Sequence, residues 1–419
     1  VADPLSISVF LMQRNSYAPT TSKSTRAATS LGVGRAGLTA TDIGAGYVLL
    51  AGGATLKGAA SDPTAPTAIG EIHSVAELFD HRSGEFVVLP GEAGRLFSGR
   101  VYHRAVVLPG AGKARGRVAL FGGFGLVNGN LEPLATVEVF DPVTKTFASD
   151  VPPMTVGRAL HTATLIDDQG RVLLAGGHGA AATSWEVWDP TLGTVAVGQL
   201  QMPKYNHTAS LLPFGGVKNG IVYLFGGEND QGVTGVGELF IPANLTLLPG
   251  SLPLPGPART LHTATFIPEQ NFLYIIGGFE DGAKTRALGR VDVFDAGCAS
   301  ASARPDECWR SVGFSLGVPR GGHSAVAMPG NALLISGGTP SVTAAGATTR
   351  SEVIYQYDEV REDGITHTIQ IAYTPDLAYA RYGHAGLLID TLKVLLVGGA
   401  VRGERETSMV LTGELFNPY

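Results

Sequence analysis

GRALHTATLIDDQGRVLLAGGHGAAATSWEVWDP, residues 157–190, reads as three consecutive β-strands. The first, GRALHTATLI, is led by a cation. The second, RVLLAGG, is the short continuous apolar run expected of a strand buried on both faces. The third, WEVWDP, carries aromatic residues and stops at Asp-Pro, a turn signal.

The Gly-Gly that ends the second strand recurs seven times, at Gly52-Gly53, Gly122-Gly123, Gly176-Gly177, Gly226-Gly227, Gly277-Gly278, Gly337-Gly338 and Gly398-Gly399. Each doublet closes an apolar run: YVLLAGG, RVALFGG, RVLLAGG, IVYLFGG, FLYIIGG, ALLISGG and KVLLVGG. Copies of the first strand precede them (GRVYHRAVVL, PKYNHTASLL, ARTLHTATFI, PRGGHSAVAM, ARYGHAGLLI, and a weaker GRAGLTAT), and copies of the third follow (VAELFD, VEVFDP, GELFIP, VDVFDA, SEVIYQYD, GELFNP). A fourth strand such as GEFVVLP, KTFASD or HTIQIAY completes most units. Four antiparallel strands repeated at one period around an axis make an all-β, seven-bladed β-propeller.

The composition agrees with that reading. Among 419 residues, 57 glycines and 25 prolines with only 16% charged side chains favour strands and turns over helices. A formal net charge of −6 offers no broad basic surface for nucleic acid. The longest apolar runs are strand-length, far short of the roughly 20 residues of a membrane helix.

The Gly-Gly, the aromatic and Asp-Pro of the third strand, and the Gly/Pro-Arg lead into the first make the chain resemble the kelch family, in particular bacterial exported kelch modules and the propeller of galactose-oxidase-like proteins. The resemblance covers nearly the whole chain and implies a single domain, with blades expected at 34–90, 98–150, 157–198, 204–250, 258–314, 319–374 and 380–419. The seventh unit lacks a fourth strand. Residues 1–13, around the apolar LSISVFLM at 5–12, are expected to supply it and leave no open edge. The opening at Val1 reads as a processed chain, and Cys298 and Cys308, isolated on one insertion expected to be an extended hairpin, read as a disulfide. Both point to export, to the periplasm, the cell surface or the medium.

Every unit carries a cation before strand one: Arg35, Arg100, Arg158, Lys204, Arg259, Arg320 and Arg381. Every unit also carries an acid early in strand three: Glu77, Glu138, Glu186, Glu238, Asp292, Glu352 and Glu414. Both positions lie at one end of the blade, so the two sets are expected to pair across the Gly-Gly, whose missing side chains leave the arginine room to cross. They read as structural ion pairs, not as a ring of cations for an anion. The histidines His103, His161, His207, His262, His323 and His384 are spread around the axis, one per blade, and read as hydrogen-bonded spacers, not metal ligands. No metal and no cofactor is expected.

Function is expected where the repeats differ, on the loops from strand two to strand three. Their unrepeated polar residues are His178, Glu228, Asp230, Glu280, Asp281, Arg286, Arg350, Arg402, Glu404, Arg405 and Glu406. That mixed charge suits a protein or glycan partner. No G-x-S-x-G elbow, phosphate loop, H-E-x-x-H or C-x-x-C-H occurs, so the expectation is a non-catalytic binding or scaffolding module. The resemblance also implies alternatives, a sialate-mutarotase-like sugar epimerase, a carbohydrate-binding module, or a copper oxidase with a cysteine-linked tyrosine. For the last, both cysteines fall on the wrong face.

Overall fold

The computed structural model describes residues 23–57, 62–109, 116–214, 217–250, 256–301, 305–310, 312–343, 347, 350–361, 364–389, 393–403 and 407–417; side chains at 214, 217–218, 299–301, 305, 357–361, 364–367 and 402 are not described. Seven four-stranded antiparallel sheets follow one another around an axis. In the third blade the strands are Thr162–Leu165, Val172–Ala175, Ser184–Asp189 and Gly193–Gln199. Strand one is innermost and strand four outermost.

Strand two is buried along its whole length because neighbouring blades sandwich it. Ala119, Phe121 and Val139 of blade two pack with Val172, Leu174 and Trp188 of blade three. The Phe121 and Trp188 rings meet edge to face at 5.1 Å, and the Trp188 indole donates to the Pro152 carbonyl at 2.8 Å. Each such apolar side chain contributes roughly 1.5–3 kcal/mol by leaving water. The strand-three aromatics Phe79, Phe140, Phe240, Phe294 and Phe416 are equally buried and serve the same joints.

An N-terminal strand does complete the last blade, but not the one expected. Lys23–Ser30 pairs antiparallel with Thr412–Asn417, Lys23 opposite Asn417 and Arg26 opposite Glu414. Residues 5–12 lie outside the described residues. The slot is an outermost strand, mostly exposed to water, so the polar KSTRAATS suits it better than the apolar LSISVFLM. The Cys298–Cys308 disulfide is present, with Cα atoms 5.7 Å apart. Its insertion begins as a short helix, Ala296–Ala301, instead of an extended hairpin.

Candidate functional site

All seven cations meet the acid of their own blade. Arg35–Glu77, Arg158–Glu186, Lys204–Glu238, Arg259–Asp292, Arg320–Glu352 and Arg381–Glu414 close at 2.5–2.9 Å, Arg100–Glu138 pairs likewise, and all these side chains are buried. Arg158, Arg320 and Arg381 also donate Nη1 to the carbonyl of the first glycine of their doublet. The glutamates accept main-chain N–H groups of the segment entering the blade, from Gly32, Phe97, Thr155, Gln201, Gly317 and Ala378. Asp292, one methylene shorter, gives its second oxygen to Arg290. Burial lowers the pKa of each of these cations, and the facing carboxylate opposes that shift.

What the glycines admit differs from expectation. A Cβ on Gly176 would lie 2.4 Å from the Lys204 carbonyl and 2.8 Å from the His207 ring, both in the next blade. The second glycine of every doublet donates its N–H to the carbonyl of the next blade's cation residue, from Gly53 to Arg100 around to Gly399 and Arg35, at 2.7–3.0 Å. The first glycine therefore makes room for the neighbouring blade's backbone, the second for strand one of its own blade, as Gly338 for the Arg320 and His323 side chains, and each cation residue ties two blades together.

Two residues past each cation, Gly37, Tyr102, Leu160, Asn206, Leu261, Gly322 and Gly383 all take positive φ between 52° and 66°. That turn aims main-chain groups at the axis, and successive members hydrogen-bond blade to blade, as Tyr102 N–H to Gly37 O at 3.0 Å and Gly383 N–H to Gly322 O at 2.9 Å. The histidine follows immediately. Five of the six share a hydrogen bond at Nε2 with a hydroxyl of the preceding blade: His103 with Thr39, His207 with Thr162, His262 with Thr208, His323 with Thr263 and His384 with Ser324, at 2.9–3.0 Å. Burial pushes all six imidazoles below their ordinary pKa, and the charge of nearby cations adds to the effect.

Above this ring the loops of different blades meet over the axis. Lys284, 1% exposed, places Nζ 2.7 Å from Asp62 of blade one and 2.9 Å from Glu228 of blade four. Glu228 also accepts from Asn206 Nδ2 at 2.8 Å and Thr260 Oγ1 at 3.1 Å. Asn206 reaches Thr64, and Tyr102 donates to the Pro63 carbonyl at 2.6 Å. Burial lowers the Lys284 pKa, but the charges and hydrogen bonds of Glu228 and Asp62 outweigh it and hold the ammonium above its ordinary value. Residues 62–64 are thus strapped across the mouth, over a cavity of about 230 Å³ lined by Tyr102, Arg104, Asn206, Phe279, His323 and Tyr382 among others.

Of the loop residues singled out in the sequence, Glu228 is in this clamp. His178 packs edge-on against Phe124 at 5.3 Å and beside Tyr205 at 5.5 Å, a packing role. Asp230 is exposed. Glu280 and Arg286 pair at 3.0 Å on the rim, and Asp281 caps its own loop through Thr285 and Arg286 N–H groups. Arg350 stacks over the Tyr373 ring at 4.7 Å. Glu404, Arg405 and Glu406 lie outside the described residues, as does the Arg402 side chain. Lys284, Asp62 and Asn206 were missed, because nothing local marks two loops 222 residues apart as neighbours. Asn206 had one signal, an asparagine at the left-handed position, which that residue tolerates. Among the described residues no group of three or more His, Cys, Asp or Glu is arranged to hold a metal.

No protein-family profile matches the chain. It is 31% identical to the Rab9 effector protein with kelch motifs of Rattus norvegicus over 176 residues, 41% of this chain and 44% of that protein. It is 30% identical to the Bos taurus protein of the same name over 203 residues, 46% of this chain and 51% of that protein. The chain spans about half the length of the curated relatives it matches. Among solved structures, a novel fungal alcohol oxidase of the AA5 family in complex with copper superposes with TM-score 0.62 at 13% identity, covering 96% of this chain and 76% of that one. YjhT superposes with TM-score 0.53 at 14% identity, covering 81% and 99%. These likenesses are of fold.

Proposed function

We propose that this seven-bladed kelch-type propeller is a non-catalytic binding and scaffolding module, exported to the cell envelope or beyond, that presents its strand two to strand three loops to another protein. The observation that carries this reading is the clamp of Lys284 on Asp62 and Glu228. It joins loops of three blades into one preorganised surface, which lowers the ordering cost of binding. The repeated cations and five of the six imidazoles are engaged within and between blades, and the rim offers polar groups to a partner, such as Asp230 and the Glu280–Arg286 pair. The word effector in the names of the mammalian relatives fits a binding role. The disulfide fits an oxidising compartment.

Photo-crosslinking residues placed at Asp230 and Arg286, with controls at Val143 and Leu192 on the opposite turns, test this in extracts of the source organism. A discrete adduct from the loop face alone, weakened by Lys284→Met, is the expected result. No adduct, or equal adducts from both faces, rejects it. A sugar-active enzyme or carbohydrate-binding module is the second reading, favoured by the cavity beneath the clamp. Anomer exchange in candidate sugars accelerated by the protein would replace the first reading with the second.

A further inference from the structure

We propose that Arg104 anchors a small-oxyanion site in the axial channel, taking the carboxylate or phosphate group of a small molecule on its guanidinium, independently of what binds the loop face. The residue after the histidine position is Thr39, Thr162, Thr208, Thr263, Ser324 or Ala385 in six blades, and a cation only in blade two. In five of those blades this residue carries the hydroxyl that holds the next blade's imidazole. In the sixth, Ala385 faces Leu38, and the joint has become apolar on both sides.

Blade two has no such compensation. Arg104 donates Nε to the His161 main-chain carbonyl at 2.7 Å, and the His161 ring, fully buried, has both nitrogens without a partner. The substitution has therefore removed a hydrogen bond and stranded an imidazole. A change that costs the fold something at one blade alone is expected to serve something else.

The charge itself points to what. The buried cations have carboxylates: one for each cation of the repeat, two for Lys284. Arg104 has none among the described residues, yet it lines the 230 Å³ cavity and is open to the channel. Its Nη atoms have no protein acceptor among the described residues, and its surroundings lower its pKa with no carboxylate to oppose the shift. The imidazoles around it, His103, His161 and His207, are held neutral by burial and by Arg104's own charge among others, so Arg104 carries the positive charge there. A guanidinium that faces the channel without a counter-charge is open to an anion. Its planar fork matches two oxygens of a carboxylate or phosphate.

Arg104→Thr restores the residue type of the other blades and is the variant of choice. Thermal unfolding of wild type and variant is followed while inorganic phosphate, and separately acetate, is titrated at constant ionic strength. Wild type is expected to gain a saturable rise in Tm from one or both anions, and Arg104→Thr to lose that rise while folding at least as well without anion. The anion that acts distinguishes phosphate from carboxylate recognition. No saturable rise in wild type, or the same rise in both proteins, overturns the proposal. Should the variant fail to fold, bromide-soaked crystals of wild type decide it: an anomalous peak at the Arg104 guanidinium supports the site, and bromide at surface sites only overturns it.

Discussion

Arg158 and Glu186 stand 2.9 Å apart with side chains no more than 1% exposed, and the carboxylate also takes the Thr155 N–H and hydroxyl. Two desolvated ions gain little net stability from each other, but either alone is badly placed. Arg158→Ala is expected to cost about 3–5 kcal/mol in chemical denaturation, with the double change Arg158→Met and Glu186→Leu costing less than the single one. A single change with a loss under about 1 kcal/mol would show that the orphaned carboxylate finds water. These pairs were legible in the sequence because seven cations and seven acids recur in step. The Lys284 clamp was not, since its partners are 222 and 56 residues away and belong to no repeat.

Gly176 lies close against blade four, at φ 61° and with the Lys204 carbonyl 2.4 Å from where a Cβ would sit. Gly176→Ala is expected to destabilise by more than about 1 kcal/mol, because alanine both resists positive φ and meets the neighbouring backbone. Gly179, also at positive φ but with no atom within 4 Å of its Cβ position, is the control and is expected to lose less. The closing strand supplies a second element-level test. A chain starting at residue 23 retains the pairing of Lys23–Ser30 with Thr412–Asn417, whereas one starting at residue 31 leaves Thr412–Asn417 as an open edge. The first is expected to stay monodisperse in light scattering and the second to self-associate.

Six imidazoles distributed around the ring make the whole fold sensitive to acid. Each is neutral when folded, with His323 lowered to about 3 and the others well below 6.5. Unfolding restores the ordinary value of about 6.5, so below it the unfolded chain binds more protons than the fold. The histidine contribution is therefore complete above about pH 6.5 and is lost as pH falls toward the folded values. Each ring adds a slope of about 1.4 kcal/mol per pH unit, and six together on the order of 8 once all are protonated in the unfolded chain. Denaturant midpoints are expected to hold from pH 8 to 7 and to fall steeply below about pH 6. A flat profile down to pH 4 would mean the rings are protonated in the fold.

The sequence by itself determined the blade count, the strand order, the cation–acid partnership and the inter-blade use of histidine, because each is written seven or six times and a repeated pattern exposes the contact it serves. Only the tertiary structure decided which N-terminal segment closes the ring. An outermost strand is half solvated, so apolar content, the signal that finds inner strands, points to the wrong residues there. It also decided that the first glycine of each doublet yields to the next blade and the second to its own, and that Lys284, Asp62, Glu228 and Asn206 meet. Those contacts join loops from separate blades, and ring closure, which brings distant segments together at one end of the axis, leaves no periodic trace in the chain.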